Sequence, residues 1–114
     1  MRDNPEILLV DDDADFRAEL KQRLQERMPG ARITQVDRVS RAVDRGRVRT
    51  PDVLVFDLSI HPAHDFSLSA LLRRKGMGML VVALSRHGFP EYRQAAFKRA
   101  ADAFLCKGAD GFTA

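Results

Sequence analysis

The sequence predicts an α/β fold in which a doubly wound, five-stranded parallel sheet is covered by helices on both faces. Short, continuously apolar runs typical of fully buried strands recur along the chain. Amphipathic helical patterns separate these runs, as the crossovers between parallel strands require. All but one of the predicted strands end directly at a polar or charged residue. The 114 residues suffice for one domain with a real core, so we assign residues 1–114 to a single domain.

The composition, 45% hydrophobic and 31% charged, is that of an ordinary globular protein. No apolar run approaches the length of a membrane span, and the first residues lack the hydrophobic region of a signal peptide. We therefore expect no membrane contact. The single cysteine, Cys106, excludes an internal disulfide and suits a reducing compartment, so a cytoplasmic location is predicted.

The formal net charge of +3 is modest. Arg38, Arg41, Arg45 and Arg49 recur at spacings of three and four, so they would form one stripe on a helix. Such a stripe could meet an acidic partner or nucleic acid, but a solvated helix face is the commoner explanation. The sequence has neither zinc-finger spacing nor a basic patch interleaved with aromatic residues. We therefore predict no direct binding of nucleic acid by this domain.

The first half of the chain shows strand and helix patterns in alternation. Residues 6–10 form an apolar run that stops at Asp11, and a helix follows with Asp13 as its predicted N-cap. The apolar positions of this helix recur every four residues, at Phe16, Leu20, Leu24 and Met28. Residues 32–36 alternate between polar and apolar, as in a half-exposed strand. A short second helix is predicted to end at Gly46.

The strand ends of the second half carry candidate functional residues. Three apolar runs follow one another along the chain. Residues 53–56 end at Asp57, residues 79–84 end at Ser85, and residues 103–106 end at Lys107. Helices are predicted between these strands, over residues 66–75 and 90–100. We expect residues 108–114 to lead into a last helix that is truncated, so the chain would be the N-terminal part of a longer protein.

Parallel strands bring their carboxyl ends to one edge of the sheet, where open α/β sheets bind ligands. The acidic pair Asp11 and Asp12 would therefore share a small volume with Asp57, Ser85 and Lys107. Two carboxylates about 4 Å apart repel by roughly 4 kcal/mol at an effective dielectric constant near 20. A hard divalent cation relieves this repulsion, and oxygen ligands with open positions suit Mg²⁺. A metal, an ammonium and a hydroxyl facing one carboxylate are suited to phosphoryl transfer onto that carboxylate.

The chain resembles the receiver domains of bacterial two-component response regulators. The resemblance lies in the stretches Ile-Leu-Leu-Val-Asp-Asp-Asp, Asp-Val-Leu-Val-Phe-Asp-Leu and Ala-Asp-Ala-Phe-Leu-Cys-Lys, in that order, and covers nearly the whole chain. It implies a flavodoxin-like fold with the strand order 2-1-3-4-5. It also implies a switch rather than an enzyme, since a receiver at most catalyses its own phosphorylation and dephosphorylation.

The resemblance implies a role for each matching residue. Asp57 would accept a phosphoryl group from a sensor histidine kinase or a phosphotransfer protein. Asp12, Asp57 and the backbone carbonyl of Ser59 would hold Mg²⁺, with Asp11 acting through water. Lys107 would pair with the phosphoryl oxygens. Ser85 and Phe104 would act as conformational switch residues. A homodimer and a C-terminal effector domain outside this chain are further partners that the family suggests.

Three positions depart from the family pattern. The loop after Asp57 looks one residue longer than usual, which bears on the contact expected of the Ser59 carbonyl. Arg86 stands where family members commonly have a small residue, and we predict that its guanidinium modulates access to the phosphoryl site. Gly108 replaces the usual proline after the lysine.

Other functions remain as alternatives to phosphoryl acceptance. The first is a receiver-like interaction module that signals without phosphorylation. A hydrolase built on Ser59 or Ser67 with His64 and Asp65 is disfavoured, because a nucleophile elbow is missing and adjacent His and Asp cannot readily form a relay. A metal site at His61 and His64 is disfavoured because Pro62 interrupts their spacing, and Cys106 suits a small core residue better than a reactive thiolate.

Overall fold

The computed structural model describes residues 4–48, 50–58, 78–86, 89–91, 94, 101–108 and 111–113. In chain order the elements are β1 (Glu6–Val10), α1 (Ala14–Arg27), β2 (Arg32–Val36), α2 (Val39–Val48), β3 (Val53–Asp57), β4 (Leu80–Ser85), β5 (Ala103–Gly108) and β6 (Gly111–Thr113). Pro90, Glu91 and Gln94 are helical, within the helix predicted over residues 90–100. The helix predicted over residues 66–75 lies outside the described residues.

Strands β1 to β5 form a parallel sheet in the order β2-β1-β3-β4-β5, which confirms the predicted fold class and strand order. The two central strands, β1 and β3, pair from Ile7↔Val53 to Val10↔Phe56. Leu9 and Leu54, one on each strand, are almost fully buried, as expected of strands covered on both faces. The carboxyl ends of the central strands therefore lie side by side.

A sixth strand differs from the predicted five. Gly111–Thr113 form β6, which pairs antiparallel with β5, within the segment predicted to lead into a truncated last helix; that helix stays a prediction. The register joins Lys107 to Phe112 and Gly108 to Gly111. A strand at the side of a parallel sheet has unpaired backbone groups, and a returning segment of chain can satisfy them. This tertiary pairing outweighs the weak conformational preference that the sequence of the segment has on its own.

Two element boundaries also differ from the prediction. Helix α2 continues past Gly46 to Val48, because one glycine inside a helix costs only about 1 kcal/mol. Strand β5 includes Lys107 and Gly108, whereas the sequence pattern ended this strand at Cys106. Lys107 is therefore held by strand geometry and does not lie in a loop after the strand.

Helices α1 and α2 cover opposite faces of the sheet. Asp13 precedes helix α1, and its side chain accepts a hydrogen bond from the amide of Phe16, so the predicted N-cap is confirmed. The helix packs Leu20, with half-buried neighbours on the same face, against the cluster that contains Leu9 and Val55. Helix α2 packs Ala42 on the other face, in a separate cluster. None of the helices among the described residues is long and apolar enough to cross a membrane.

Two carboxylates fix the strands at the edge of the sheet opposite to the candidate site. Asp52, before β3, accepts a 2.8 Å hydrogen bond from the amide of Glu6, and Asp102, before β5, accepts one of 2.8 Å from the amide of Val81. Each carboxylate joins the start of one strand to its neighbour. These contacts support the register that aligns the carboxyl ends.

The predicted arginine stripe is only partly within the described side chains. Arg38 and Arg41 are exposed and lie 3.3 and 3.6 Å from the same carboxylate oxygen of Asp37. The Arg38 side chain also lowers the pKa of Asp37, chiefly by its hydrogen bond. The side chain of Arg45 and the whole of Arg49 lie outside the described part of the chain.

Candidate acidic site at the carboxyl edge of the sheet

The structure brings together three of the predicted site residues, which come from different strands. Asp11 directly follows β1, Asp57 is the last residue of β3, and Lys107 lies near the end of β5. The chain separates Asp57 from Lys107 by 50 residues, yet the Nζ atom of Lys107 donates a 2.6 Å hydrogen bond to Oδ2 of Asp57. Parallel strand ends meet at one edge, and the sheet thus produces this contact.

The ammonium of Lys107 lies between two buried carboxylates. Its Nζ atom is 2.6 Å from Oδ2 of Asp11 as well as from Oδ2 of Asp57. The side chains of Asp11, Asp57 and Lys107 are only 3%, 1% and 7% exposed, respectively. Such low exposure weakens solvent screening, so these charges interact strongly. Together they form an ion triad with one formal negative charge in excess.

The two oxygens of Asp11 have different surroundings. Oδ1 accepts a 2.9 Å hydrogen bond from the amide of Asp13. Oδ2 is buried and close to Lys107, but no well-directed hydrogen bond reaches it from the described residues. Burial raises the pKa of Asp11, and the contact with Lys107 and the bond from the Asp13 amide only partly oppose that effect. Oδ2 therefore retains acceptor capacity for a further cation.

Lys107 is held as a cation by its partners. Burial alone would lower its pKa, but the close contacts with the carboxylates of Asp11 and Asp57 outweigh this effect and raise the pKa above its ordinary value. The side chain therefore carries its positive charge at neutral pH. An obligatory cation beside Asp57 can neutralise negative charge that develops on a group bound there.

The acidic residues can hold a metal ion. Asp11, Asp12 and Asp57 each offer a carboxylate oxygen, and these oxygens lie within 4.8 Å of one another. Asp12 is exposed, whereas the other two residues are buried, so the cluster opens to solvent on one side. Carboxylate oxygens suit Mg²⁺ and Ca²⁺, which take further ligands from water or phosphate. The excess negative charge and the unused acceptor on Asp11 both fit a divalent cation.

Two residues that the sequence did not predict to be part of the site contact this cluster. The ring of Phe16 lies over the ammonium of Lys107, with 4.1 Å between Nζ and the ring centroid. Arg17 donates from Nη1 to the backbone carbonyl of Asp11 and from Nε to Oε1 of Gln35 at 3.2 Å. The four-residue periodicity explained Phe16 as a core residue, and no sequence pattern reveals the contacts of Arg17.

The predicted switch residues lie on the other side of the sheet. Ser85 is buried at the end of β4, next to Leu84, which is the register partner of Asp57. Phe104 is buried in the cluster on the α2 face and pairs in register with Ala83. Because side chains alternate along a strand, Ser85 falls on the same face as Ala83. Ser85 and Phe104 therefore share a face, while Lys107 reaches Asp57 from the α1 side.

Arg86 lies at the rim of the site. Its Nη2 atom is 3.4 Å from Oδ2 of Asp13, and its side chain is 63% exposed. This contact joins the end of β4 to the N-cap of α1, across the mouth of the acidic cluster. Cys106 is half-buried and is paired in register with Ser85.

Several candidate residues cannot be placed. Ser59, with the carbonyl expected to bind Mg²⁺, lies outside the described residues. The other residues of the disfavoured hydrolase and of the disfavoured histidine metal site also lie outside the described residues, namely His61, His64, Asp65 and Ser67.

Comparison with known proteins identifies relatives of the same fold. The family model described as the response regulator receiver domain matches residues 7–111. No curated protein matches the chain.

Many solved structures match. The signal receiver domain of a DNA-binding response regulator (merR) from Colwellia psychrerythraea 34H has a TM-score of 0.80 at 23% identity, covering 91% of this chain and 86% of that one. A LuxR-family two-component response regulator from Aurantimonas has a TM-score of 0.75 at 26% identity, covering 94% and 76%.

A third solved structure of the same fold contains a metal ion. The receiver domain of a sensor histidine kinase from Pseudomonas aeruginosa PAO1 has a TM-score of 0.74 at 21% identity, with 91% of this chain and 85% of that chain covered. That structure has a magnesium ion coordinated in its active-site cleft.

Proposed function

Because this chain belongs to the response regulator receiver domain family, we propose that it is a phosphoacceptor switch of two-component signalling. Asp57 receives a phosphoryl group from a phosphorylated histidine on a sensor kinase or a phosphotransfer protein. The domain comprises residues 1–114, and the acceptance requires Mg²⁺. The observation that carries the proposal is the 2.6 Å contact between Lys107 Nζ and Asp57 Oδ2 beside a cluster of carboxylates.

The chemistry is a displacement at phosphorus. A carboxylate oxygen of Asp57 attacks, the phosphorus–nitrogen bond of the donor breaks, and the imidazole nitrogen of the donor takes a proton from solvent. The product on Asp57 is an acyl phosphate. Such a transfer depends mainly on positioning and on neutralising the phosphoryl oxygens.

Lys107 provides part of this neutralisation. Its ammonium is already 2.6 Å from Asp57, so little movement brings it onto a phosphoryl oxygen. The raised pKa of Lys107 keeps the ammonium charged while negative charge accumulates beside it. Asp11 competes for the same ammonium at 2.6 Å, and it holds Lys107 in the site when Asp57 is modified.

Asp11, Asp12 and Asp57 would hold Mg²⁺, because their oxygens converge within 4.8 Å and the donor set is oxygen only. By family resemblance Asp12 and Asp57 would be direct ligands with the Ser59 carbonyl, and Asp11 would act through water. When bound, the ion supplies Lewis-acid stabilisation of phosphoryl oxygens. Arg17 holds the carbonyl of Asp11, and the Asp13 amide holds Oδ1, so this ligand loop is fixed in advance.

Ser85 and Phe104 carry the signal away from the site. A phosphoryl group on Asp57 adds negative charge and acceptor oxygens. The Ser85 hydroxyl donates to one of these oxygens and draws the end of β4 inward, and Phe104 turns with it on the shared α2 face. To move a switch from 1:99 to 99:1, modification must favour one state by about 5.5 kcal/mol. The output is read by a partner, a second copy or an effector domain.

The direct test is phosphorylation by acetyl phosphate, with and without Mg²⁺, followed by intact-protein mass spectrometry. We expect one phosphoryl group per chain only with Mg²⁺, and beryllofluoride to bind under the same conditions. A folded protein that acquires neither group would refute phosphoacceptance and favour the phosphorylation-independent interaction module.

A further inference from the structure

The first turn of α1 places an aromatic ring against the proposed phosphorylation site. The centroid of the Phe16 ring is 4.1 Å from Nζ of Lys107, the distance of a close cation–π contact. No sequence motif pointed to Phe16, whose position on α1 is that of an ordinary core residue. The ammonium that lies over this ring is the same group that contacts Asp57.

The ring completes the surroundings of the ammonium. An ammonium has three N–H donors. Asp57 accepts from one of them, Asp11 lies against a second side, and the Phe16 ring covers a third. The Lys107 side chain is 7% exposed, so little water is available to solvate the ammonium if it moves away from these partners. The negative face of the ring attracts the cation and also excludes water from it.

The position of the ring is itself fixed. The amide of Phe16 donates a 3.0 Å hydrogen bond to Oδ1 of Asp13, the N-cap of α1. The side chain packs against the core cluster on the α1 face, together with Leu105 of β5. The ring is therefore held by its backbone on one side and by the core on the other.

We propose that Phe16 is a positioning residue for phosphoryl acceptance, acting through Lys107, and this inference rests on the proposed function. The ring holds the ammonium at the oxygens of Asp57, where charge develops during transfer. Without an aromatic face, one N–H of a buried ammonium has no partner and the group shifts toward solvent. A residue of similar size and hydrophobicity fills the same space but does not supply the interaction.

The kinetic test uses three variants of the full chain. We expect Phe16→Leu to lower the rate constant of acyl-phosphate formation from acetyl phosphate by about threefold to tenfold. Phe16→Tyr keeps the ring face and should restore the wild-type rate. Leu24→Ala is the matched control for packing, because Leu24 packs against the same core cluster from the same helix. It should lower thermal stability without changing the rate.

A spectroscopic test is independent of phosphorylation. The ε-methylene protons of Lys107 next to an aromatic face should be shifted upfield by the ring current in the wild-type protein and in Phe16→Tyr. They should return to ordinary values in Phe16→Leu. The signal is assigned by its loss in Lys107→Met.

The outcomes separate the two proposals. Failure of the wild-type protein to accept a phosphoryl group refutes the proposed function, and with it the role of Phe16 in that reaction. Phosphorylation of the wild-type protein together with an unchanged rate in Phe16→Leu overturns the positioning role alone. An unshifted Lys107 signal in the wild-type protein also overturns it, since the ring would not lie over the ammonium. A slow Phe16→Leu, a fast Phe16→Tyr and an upfield Lys107 signal together support it.

Discussion

The Nζ atom of Lys107 lies 2.6 Å from Oδ2 of Asp57, and the same nitrogen lies 2.6 Å from Oδ2 of Asp11. One ammonium therefore serves two carboxylates that come from adjacent strands. This sharing makes Lys107 both a partner for a phosphoryl group and a competitor of any metal ion that binds the same acids.

Asp57→Asn should abolish phosphoryl acceptance from acetyl phosphate, because the amide lacks the nucleophilic carboxylate oxygen. Intact-protein mass spectrometry after reaction with Mg²⁺ measures this directly. Asp52→Asn is a matched control, since Asp52 lies at the opposite edge of the sheet, where its carboxylate accepts a hydrogen bond from the backbone of β1. Undiminished phosphorylation of Asp57→Asn would assign the acceptor to another residue.

Lys107→Met should tighten Mg²⁺ binding by about tenfold or more, because it removes a positive charge from between two of the metal ligands. Titration calorimetry measures the dissociation constant. The metal-free variant should lose on the order of 3 kcal/mol of its free energy of unfolding, since both carboxylates stay buried without their cation.

Saturating Mg²⁺ should restore much of the stability that Lys107→Met loses, because the ion binds only the folded protein. Arg23→Met is the control, as Arg23 pairs with Glu19 on the exposed face of α1. An unchanged Mg²⁺ dissociation constant in Lys107→Met would contradict competition between the ammonium and the ion.

Asp11→Asn should raise the free energy of unfolding of the metal-free protein at neutral pH. Burial raises the pKa of Asp11 above its ordinary value of 3.8, so the folded protein binds the proton more tightly than the unfolded chain does. The free energy of unfolding then falls as pH rises from 3.8 through the folded pKa.

The stabilising effect of Asp11→Asn should therefore be largest above the folded pKa and should shrink as pH falls toward 3.8. Urea denaturation across this pH range, with a chelator present, provides the measurement. If the difference in free energy of unfolding between the wild-type protein and Asp11→Asn does not depend on pH, the charge of Asp11 is not the cause of that difference.

Arg86→Ala should shorten the lifetime of the acyl phosphate, by about twofold to fivefold. The exposed guanidinium spans the mouth of the site to Asp13, where it restricts the approach of water, and an exposed ion pair of this kind contributes less than about 1 kcal/mol. The half-life of phosphorylated protein after removal of the donor is the readout. Arg23→Ala controls for the loss of a surface arginine, and an identical half-life in Arg86→Ala would exclude a role in access.

The parallel α/β architecture and the meeting of acids and amine at one edge could be predicted, because they follow from rules that a sequence displays locally, whereas the strand order was implied only by the resemblance to receiver domains. Continuous apolar runs identified the strands, and parallel pairing then placed Asp57 and Lys107 at the same edge. The contacts of Phe16 and Arg17 could not be predicted. They depend on how the first turn of α1 lies over the strand ends, and periodicity along the helix does not encode that position.

The differences between the prediction and the structure lie in the added strand β6 and at the ends of α2 and β5. Gly111–Thr113 have no strong strand pattern of their own, and they form β6 only because β5 offers a partner. The continuation of α2 past Gly46 likewise reflects a small local penalty that the surrounding structure outweighs. Local preference fails where tertiary contact decides between two states of similar free energy.

Strand β6 determines how far Lys107 can reach. The pairing of β4 with β5 ends at Ser85↔Cys106, one residue before Lys107, so the parallel sheet alone would leave the backbone of Lys107 to fray. The antiparallel register instead joins Lys107 to Phe112. Lys107 thus lies in a part of β5 that extends beyond its pairing with β4 and, among the described strands, is paired only with β6. Backbone hydrogen exchange around Lys107 should accordingly report the opening of the β5–β6 pair and not that of the central strands.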